Sequence, residues 1–237
     1  MLTLPEKLIF ALAVIASLYL TYRAVQRILS ILRRGQGKVD WTVARQRIGS
    51  TLVKVITFQP VFRVRFIPSL LHGMVAWGFL YYMLVNFGDV LQAYIPDFIF
   101  LGQGWLGDVY RLGADLLSAA VLIGMLALLV RRFVLRSPAL TTRQEVLLHP
   151  KARFGIRRDS AIVGSFILLH VGGRFFGETF RLAAEGRDGW QPIASMVSRL
   201  WQGWSESALT IAEHAAFWFA LGLILAFLPY FLYSKHI

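Results

Sequence analysis

The sequence predicts an all-α integral membrane bundle of five transmembrane helices, accompanied by interfacial amphipathic helices. Hydrophobic residues make up 57% of the chain, charged residues only 16%, and the mean hydropathy is +0.58. Such values are typical of integral membrane proteins. Five apolar runs each approach the length of about 20 residues that a helix needs to cross the hydrocarbon layer. No internal repeat or soluble domain is evident, so residues 1–237 are expected to form a single transmembrane domain.

The composition also limits the chemistry of the chain. Cysteine is absent, which excludes disulfides, thiolate metal sites, iron–sulfur clusters and c-type haem attachment within this sequence. Any redox centre must therefore use histidine. The formal net charge is +12, but the basic residues concentrate between apolar runs, which indicates membrane topology rather than nucleic acid binding.

The first predicted span covers residues 8–29. Ten Lys or Arg against one acid follow in residues 23–65, which predicts a cytoplasmic segment. Within it, Asp40 can cap an interfacial helix whose basic residues face lipid phosphates or a partner. Its apolar residues recur at helical spacing: Trp41, Ala44, Ile48, Leu52 and Ile56. The basic residues of this helix are Arg45, Arg47 and Lys54.

The next two spans continue the alternation of sides. Residues 67–87 form the second span, with His72 about one turn inside its cytoplasmic boundary. Residues 88–110 contain three acids and no base and are expected outside. The third span covers 113–130. Residues 131–158 contain eight bases and one acid and are therefore expected in the cytoplasm.

The fourth span, 161–180, places His170 at mid-depth. Three nearby glycines either allow close helix packing or admit a flat macrocycle, and both interpretations stay open. These glycines are Gly172, Gly173 and Gly177. Residues 192–204 predict an amphipathic helix on the outer surface. Its apolar stripe consists of Ile193, Met196, Val197, Leu200, Trp201 and Trp204. The fifth span, 208–233, returns to the cytoplasm.

Histidines on the spans predict two stacked haem sites. His214 and His236 are 22 residues apart, so they return to within roughly 40° of one helix face on opposite sides of the bilayer. Imidazole is an axial ligand of haem iron. Depth pairs His72 with His236, and it pairs His170 with His214 within roughly 6 Å. Alternatively, His236 is an interfacial residue and the others are packing residues. His149 is expected at the surface.

Other side chains fit the same hypothesis. Small residues at Gly73 and Gly173 next to the ligands would let haem rings lie against the backbone. Arg65 and Arg174 are candidates to pair with haem propionates.

Three stretches resemble a known family. They are residues 65–79, which include His72-Gly-Met-Val-Ala-Trp-Gly78-Phe, residues 175–181, and the ending 228–236 with Ser234-Lys-His236. They resemble the membrane domain of heterodisulfide-reductase-related iron–sulfur oxidoreductases, which is similar to the haem b-binding gamma subunit of respiratory nitrate reductase. The resemblance implies b haems that exchange electrons between cytoplasmic iron–sulfur clusters and a membrane quinone. Two haems are expected, with iron–sulfur or flavin subunits as partners and menaquinone or ubiquinone as the quinone. It assigns His72 and His236 to the cytoplasmic haem, and His214 to the outer one.

Two departures from that family matter. Tyr82 stands where the second helix of the gamma subunit supplies a second histidine, so the outer haem takes His170 or is absent. Relatives also continue after the Ser-Lys-His motif into cysteine-rich domains. The clusters are therefore expected on separate subunits, or the chain is the membrane part of a longer polypeptide.

A quinone site is predicted near the outer haem. It combines Glu178 as proton carrier with Arg181, Trp201 and Trp204, beside Arg174. The alternative is that Glu178 only forms an ion pair with Arg174 or Arg181. The competing location is cytoplasmic, near the basic residues Lys54, Arg63 and Arg65.

The second function class is a haem-free membrane anchor or assembly subunit that docks a soluble partner. In either class the expected location is a prokaryotic inner membrane, with the N-terminus outside and the C-terminus in the cytoplasm. The chain alone is not expected to complete a reaction.

Overall fold

The computed structural model describes residues 2–37, 40–141 and 145–234, and every regular element in these residues is helical. The nine α-helices of the described chain are α1 (Leu4–Leu32), α2 (Trp41–Thr57), α3 (Gln59–Phe62), α4 (Phe66–Tyr94), α5 (Trp105–Leu129), α6 (Pro150–Glu185), α7 (Pro192–Val197), α8 (Glu206–Phe217) and α9 (Leu223–Phe231). A π-helical turn, Val130–Val134, extends α5, and another, Trp218–Gly222, joins α8 to α9. Short 3₁₀ helices cover Pro138–Leu140 and Ser198–Trp201.

The prediction of an all-α bundle with five membrane-spanning helices is confirmed. Within the described ranges, α1, α4, α5 with its π turn, α6 and the continuous α8–α9 helix are long and apolar enough to cross a membrane. The chain is therefore a multi-pass membrane protein. The first four spans extend past the predicted apolar runs at both ends, whereas the fifth covers Glu206–Phe231 against the predicted 208–233.

Helix α4 illustrates this extension. It ends at Tyr94 instead of residue 87, so Asp89 lies in the helix and not in the predicted connection. The Asp89 carboxylate accepts a hydrogen bond from Arg174 Nε of α6 at 3.2 Å. Pairing with a cation removes the main obstacle to keeping a carboxylate on a membrane helix.

The spans pack in the order α4, α5, α6, α8–α9 and α1, each against the next. One core cluster joins α4, α5 and α6, and its buried residues are Tyr82, Val85, Phe100, Tyr110, Ala114, Val121 and Val171. Consecutive spans run antiparallel. We call the end with residues 33–37, 40–65, 130–141 and 145–149 the basic end, and the end with residues 95–104 and 186–205 the distal end.

The predicted amphipathic helix is present as α2. The Asp40 carboxylate accepts hydrogen bonds from the backbone N–H groups of Thr42 (2.9 Å) and Val43 (3.1 Å), which is an N-cap. No residue of α2 is buried in the described chain. Trp77 Nε1 of α4 donates to the Ile56 carbonyl at 2.8 Å and fastens the end of α2 to the bundle.

The predicted helix 192–204 differs in form. The α-helix ends at Val197, and a 3₁₀ helix continues to Trp201. Ile193 and Val197 pack on a second core cluster, whereas Met196 and Leu200 are exposed. The stripe therefore does not form one continuous face. The Asp115 carboxylate explains this placement, because it accepts from the backbone N–H groups of Ile193 (2.7 Å) and Ala194 (2.9 Å) and holds the start of α7 on α5.

Candidate functional site

The histidines on the spans share one hydrogen-bonding pattern. The Nδ1 atom lies 2.7 Å from the Pro68 carbonyl in His72 and 2.8 Å from the Ala220 carbonyl in His170. In His214, Nδ1 lies 2.9 Å from the Glu6 carboxylate. Carbonyl oxygens can only accept hydrogen bonds, and an ionised carboxylate also only accepts, so each Nδ1 is the donor in its contact. No Nε2 of these three rings has a hydrogen-bond partner among the described residues.

His149 behaves in the opposite way. Its Nδ1 accepts from the backbone N–H of Lys151 at 3.2 Å, which caps the start of α6. The side chain is exposed in the segment at the basic end. It is therefore a surface capping residue, as the sequence predicted.

His170 is enclosed by aromatic side chains inside the bundle. Its residue is only 6% exposed. The ring stacks in parallel with Phe166 at 5.6 Å between centroids, and Tyr82 meets it edge-on at 5.6 Å. The Tyr82 hydroxyl lies 2.6 Å from Ser118 Oγ on α5. Tyr82, which stands where the resembled family has a histidine, thus contacts the imidazole of His170 on α6.

The described residues include both members of one predicted ligand pair and one member of the other. His170 donates to the carbonyl of Ala220, which lies six residues, or about 9 Å of helix rise, after His214. His72 is exposed on α4 toward the basic end, and His236 lies outside the described residues. Both ligand pairs stay predictions.

The glycines beside the histidines contact protein groups. A Cβ atom on Gly173 would lie 2.9 Å from Phe219 Cβ and 3.1 Å from the Ala220 nitrogen, and one on Gly177 would lie 3.1 Å from Ala216 Cβ. These two glycines therefore allow α6 and α8 to pack closely, the first of the two interpretations. At the basic end, a Cβ on Gly73 would lie 3.3 Å from the Trp77 ring.

A polar cavity of about 850 Å³ lies at the distal end, between α4, α6 and α8. His214, Arg174, Glu178 and Arg181 contribute to its lining. Arg174 pairs with Asp89, and the two side chains are 11% and 17% exposed. Arg174 is thus already neutralised within the bundle. Arg65, the other predicted propionate partner, is exposed at the basic end and makes no ion pair among the described residues.

The predicted quinone residues lie on two sides of α6. Glu178 and Arg181 face the cavity and form an ion pair with each other, and Arg181 also pairs with Glu185. Trp201 and Trp204 instead pack against Phe180, at centroid distances of 4.9 and 6.1 Å. Among the described residues, neither tryptophan lines the cavity. The ion pair with Arg181 matches the structural alternative considered for Glu178.

Glu6 and Asp89 belong to this region but were not predicted as site residues. For Glu6 the sequence does hold a signal, because Thr3 and Glu6 have the spacing of a capping box, which the structure contains. Asp89 has no comparable local signal, since its partner Arg174 is 85 positions away. Comparison of the chain with protein-family models, with curated proteins and with solved structures found no match.

Proposed function

We propose that this chain is a membrane dihaem cytochrome b subunit that passes electrons between cytoplasmic iron–sulfur or flavin partners and the membrane quinone pool. The observation that supports it most directly is the hydrogen-bonding pattern that His72, His170 and His214 share. Each imidazole is anchored through Nδ1 to an oxygen acceptor. This is the arrangement that orients the free Nε2 of a metal-ligating histidine.

The ring nitrogens of His72, His170 and His214 that take no part in these hydrogen bonds have the donor chemistry that haem iron binds. His72 with His236, and His170 with His214, would supply the axial ligands. When bound, haem iron supplies reversible one-electron transfer at a potential tuned by its ligands. The hydrogen bonds to Pro68, Ala220 and Glu6 keep each ring from rotating.

We place the quinone head group in the distal cavity, on the face of α6 that carries Glu178 and Arg181. A quinone needs hydrogen-bond donors for its carbonyl oxygens and a route for protons. Arg181 supplies donors, and Glu178 is positioned beside it as the proton carrier. Trp201 and Trp204 then support Phe180 on the opposite face of α6 and do not contact the head group.

The alternative is a haem-free membrane anchor or assembly subunit. It is favoured by the filled space beside the glycines, where Trp77 covers Gly73 and the last span covers Gly173. In that case two of the histidines tie helices together, His170 by donating to the Ala220 carbonyl and His214 through its contact with Glu6.

A visible spectrum of the purified, dithionite-reduced protein distinguishes the two functions. We expect the bands of b-type haem and two redox transitions in a titration. His170→Ala should remove one transition and leave the other, because it deletes one axial ligand of a single haem. His149→Ala is the matched control and should retain both, since His149 is a surface cap.

Two outcomes contradict the proposal. Wild-type protein without b-type bands, isolated from cells that supply haem, supports the anchor. Retention of both transitions in His170→Ala shows that His170 is a packing residue.

A further inference from the structure

We infer that Glu6 is a positioning residue for His214, and that its carboxylate sets the redox potential of an iron bound at His214 Nε2. The inference rests on the proposed function, because it concerns the haem that His214 would ligate. It assigns a role in the redox site to the first turn of α1, which the sequence places far from every histidine.

The carboxylate of Glu6 accepts hydrogen bonds from residues of the α8–α9 helix and from the residue that precedes α1. From α8–α9, His214 Nδ1 lies 2.9 and 3.0 Å from its two oxygens, and Trp218 Nε1 donates to Oε1 at 3.3 Å. At the start of α1, the Thr3 backbone N–H and hydroxyl donate to Oε2 at 2.9 and 2.6 Å. Because donors contact the carboxylate from both sides, they fix its position.

The surrounding contacts hold the first turn of α1 against the bundle. Lys7 Nζ donates to the Tyr94 carbonyl at 3.1 Å, and the Tyr94 hydroxyl donates to the Lys7 carbonyl at 2.7 Å. Phe10, one turn further, packs against Phe217 and Trp218 at centroid distances of 5.3 and 5.9 Å. Glu6 is therefore presented to His214 by a segment anchored to two other spans.

The location also favours the charged form of Glu6. It lies in the first turn of a 29-residue helix, where the helix dipole and free N–H groups stabilise negative charge. A carboxylate on the Nδ1–H of a ligating imidazole raises the basicity of its Nε2. More electron donation favours oxidised iron, so Glu6 should lower the potential of this haem relative to a neutral partner.

The test is a redox titration of the purified holoprotein with Glu6→Gln. We expect the potential of one haem to shift upward and the other to stay unchanged, with both b-type spectra retained. Electron paramagnetic resonance of the oxidised protein should show a change in the same haem. Glu206→Gln is the control, because Glu206 is an exposed carboxylate on the first turn of α8, and it should shift neither potential.

Two further variants separate this role from helix capping and from a folding defect. Thr3→Ala removes the hydroxyl of the capping box but keeps the Glu6 carboxylate for His214 and the backbone N–H that donates to it, so it should shift the potential by less than Glu6→Gln does. A shift in Thr3→Ala equal to that of Glu6→Gln would overturn the inference. If Glu6→Gln does not accumulate, Glu6→Asp decides, because its carboxylate is one methylene shorter and should shift the same potential upward.

The outcomes distinguish this inference from the function on which it rests. Wild-type protein without haem refutes the proposed function. Two haems in the wild type, with unchanged potentials in Glu6→Gln, or in Glu6→Asp where that variant decides, refute only the role of Glu6.

Discussion

At the scale of single residues, polar side chains on the membrane helices are paired with partners distant in the sequence. Arg174 on α6 pairs with Asp89 on α4, and Arg111 on α5 donates to Asp188 at 2.8 Å. Unpaired charges at such depth are costly, and breaking a buried pair leaves the remaining charge uncompensated. The charges therefore fix contacts between helices as well as providing a polar cavity.

Glu178→Gln tests the quinone assignment at this scale. The amide keeps the size and a hydrogen bond to Arg181 but cannot carry a proton. We expect haem oxidation by a soluble quinone analogue to slow by about a hundredfold or more, the usual effect of losing a positioned acid–base group. Haem reduction by dithionite, followed in the same preparation by stopped-flow absorbance, should be unchanged.

Glu185→Gln is the matched control for this experiment. Glu185 also pairs with Arg181, but its side chain is 62% exposed, against 14% for Glu178. It should leave quinone kinetics close to those of the wild type. Unchanged kinetics in Glu178→Gln with intact haems would show that Glu178 only satisfies the charge of Arg181.

At the scale of elements, α2 is distinctive because it is amphipathic yet buries none of its residues in the described chain. Trp41, Ile48 and Leu52 share one face, and Arg47 and Lys54 lie on the other. The tie from Trp77 to Ile56 holds one end of α2 beside a membrane-spanning helix. A basic amphipathic helix in this position fits the surface of an anionic bilayer.

Single-cysteine labelling tests this placement, because the chain has no cysteine of its own. Ile48 and Ser50 are both exposed in the structure but lie on opposite faces of α2. A fluorophore on Ile48→Cys should be quenched by a lipid-borne quencher, and one on Ser50→Cys by aqueous iodide. Equal aqueous quenching at both positions would show that α2 stands in water or faces a soluble partner.

At the scale of the whole molecule, the charge distribution predicts the orientation of the bundle. The two basic stretches contain eighteen bases against two acids, a strong positive-inside bias. Both belong to the basic end, since successive spans alternate in direction. The distal cavity would then open on the outer side of the membrane.

Ser137→Cys and Gln202→Cys test the orientation with a membrane-impermeant thiol reagent. Ser137 follows the π turn at the basic end, and Gln202 is exposed at the distal end. Ser137→Cys should react only in inside-out vesicles, and Gln202→Cys only in intact cells. The reverse pattern would invert the topology and place the cavity on the cytoplasmic side.

The sequence by itself determined the features that depend on local composition. Apolar runs of membrane-spanning length predicted five helices, and Asp40 before an amphipathic pattern predicted α2 with its cap. The first four spans were predicted shorter than they are, because hydropathy detects the apolar centre of a helix and not the paired polar turns at its ends. Asp89 is the clearest case.

Only the tertiary structure decided which residues meet. Glu6 and His214 are separated by 208 positions, and Asp115 holds the backbone of α7 from 78 and 79 positions away. It also separated Glu178, which faces the cavity, from Trp201, which packs on the opposite face of α6. Contacts of this kind depend on the rotation of each helix about its axis. That rotation is set by close packing at residues such as Gly173 and Gly177 and by long-range pairing of charges, neither of which leaves a periodic signal in the sequence.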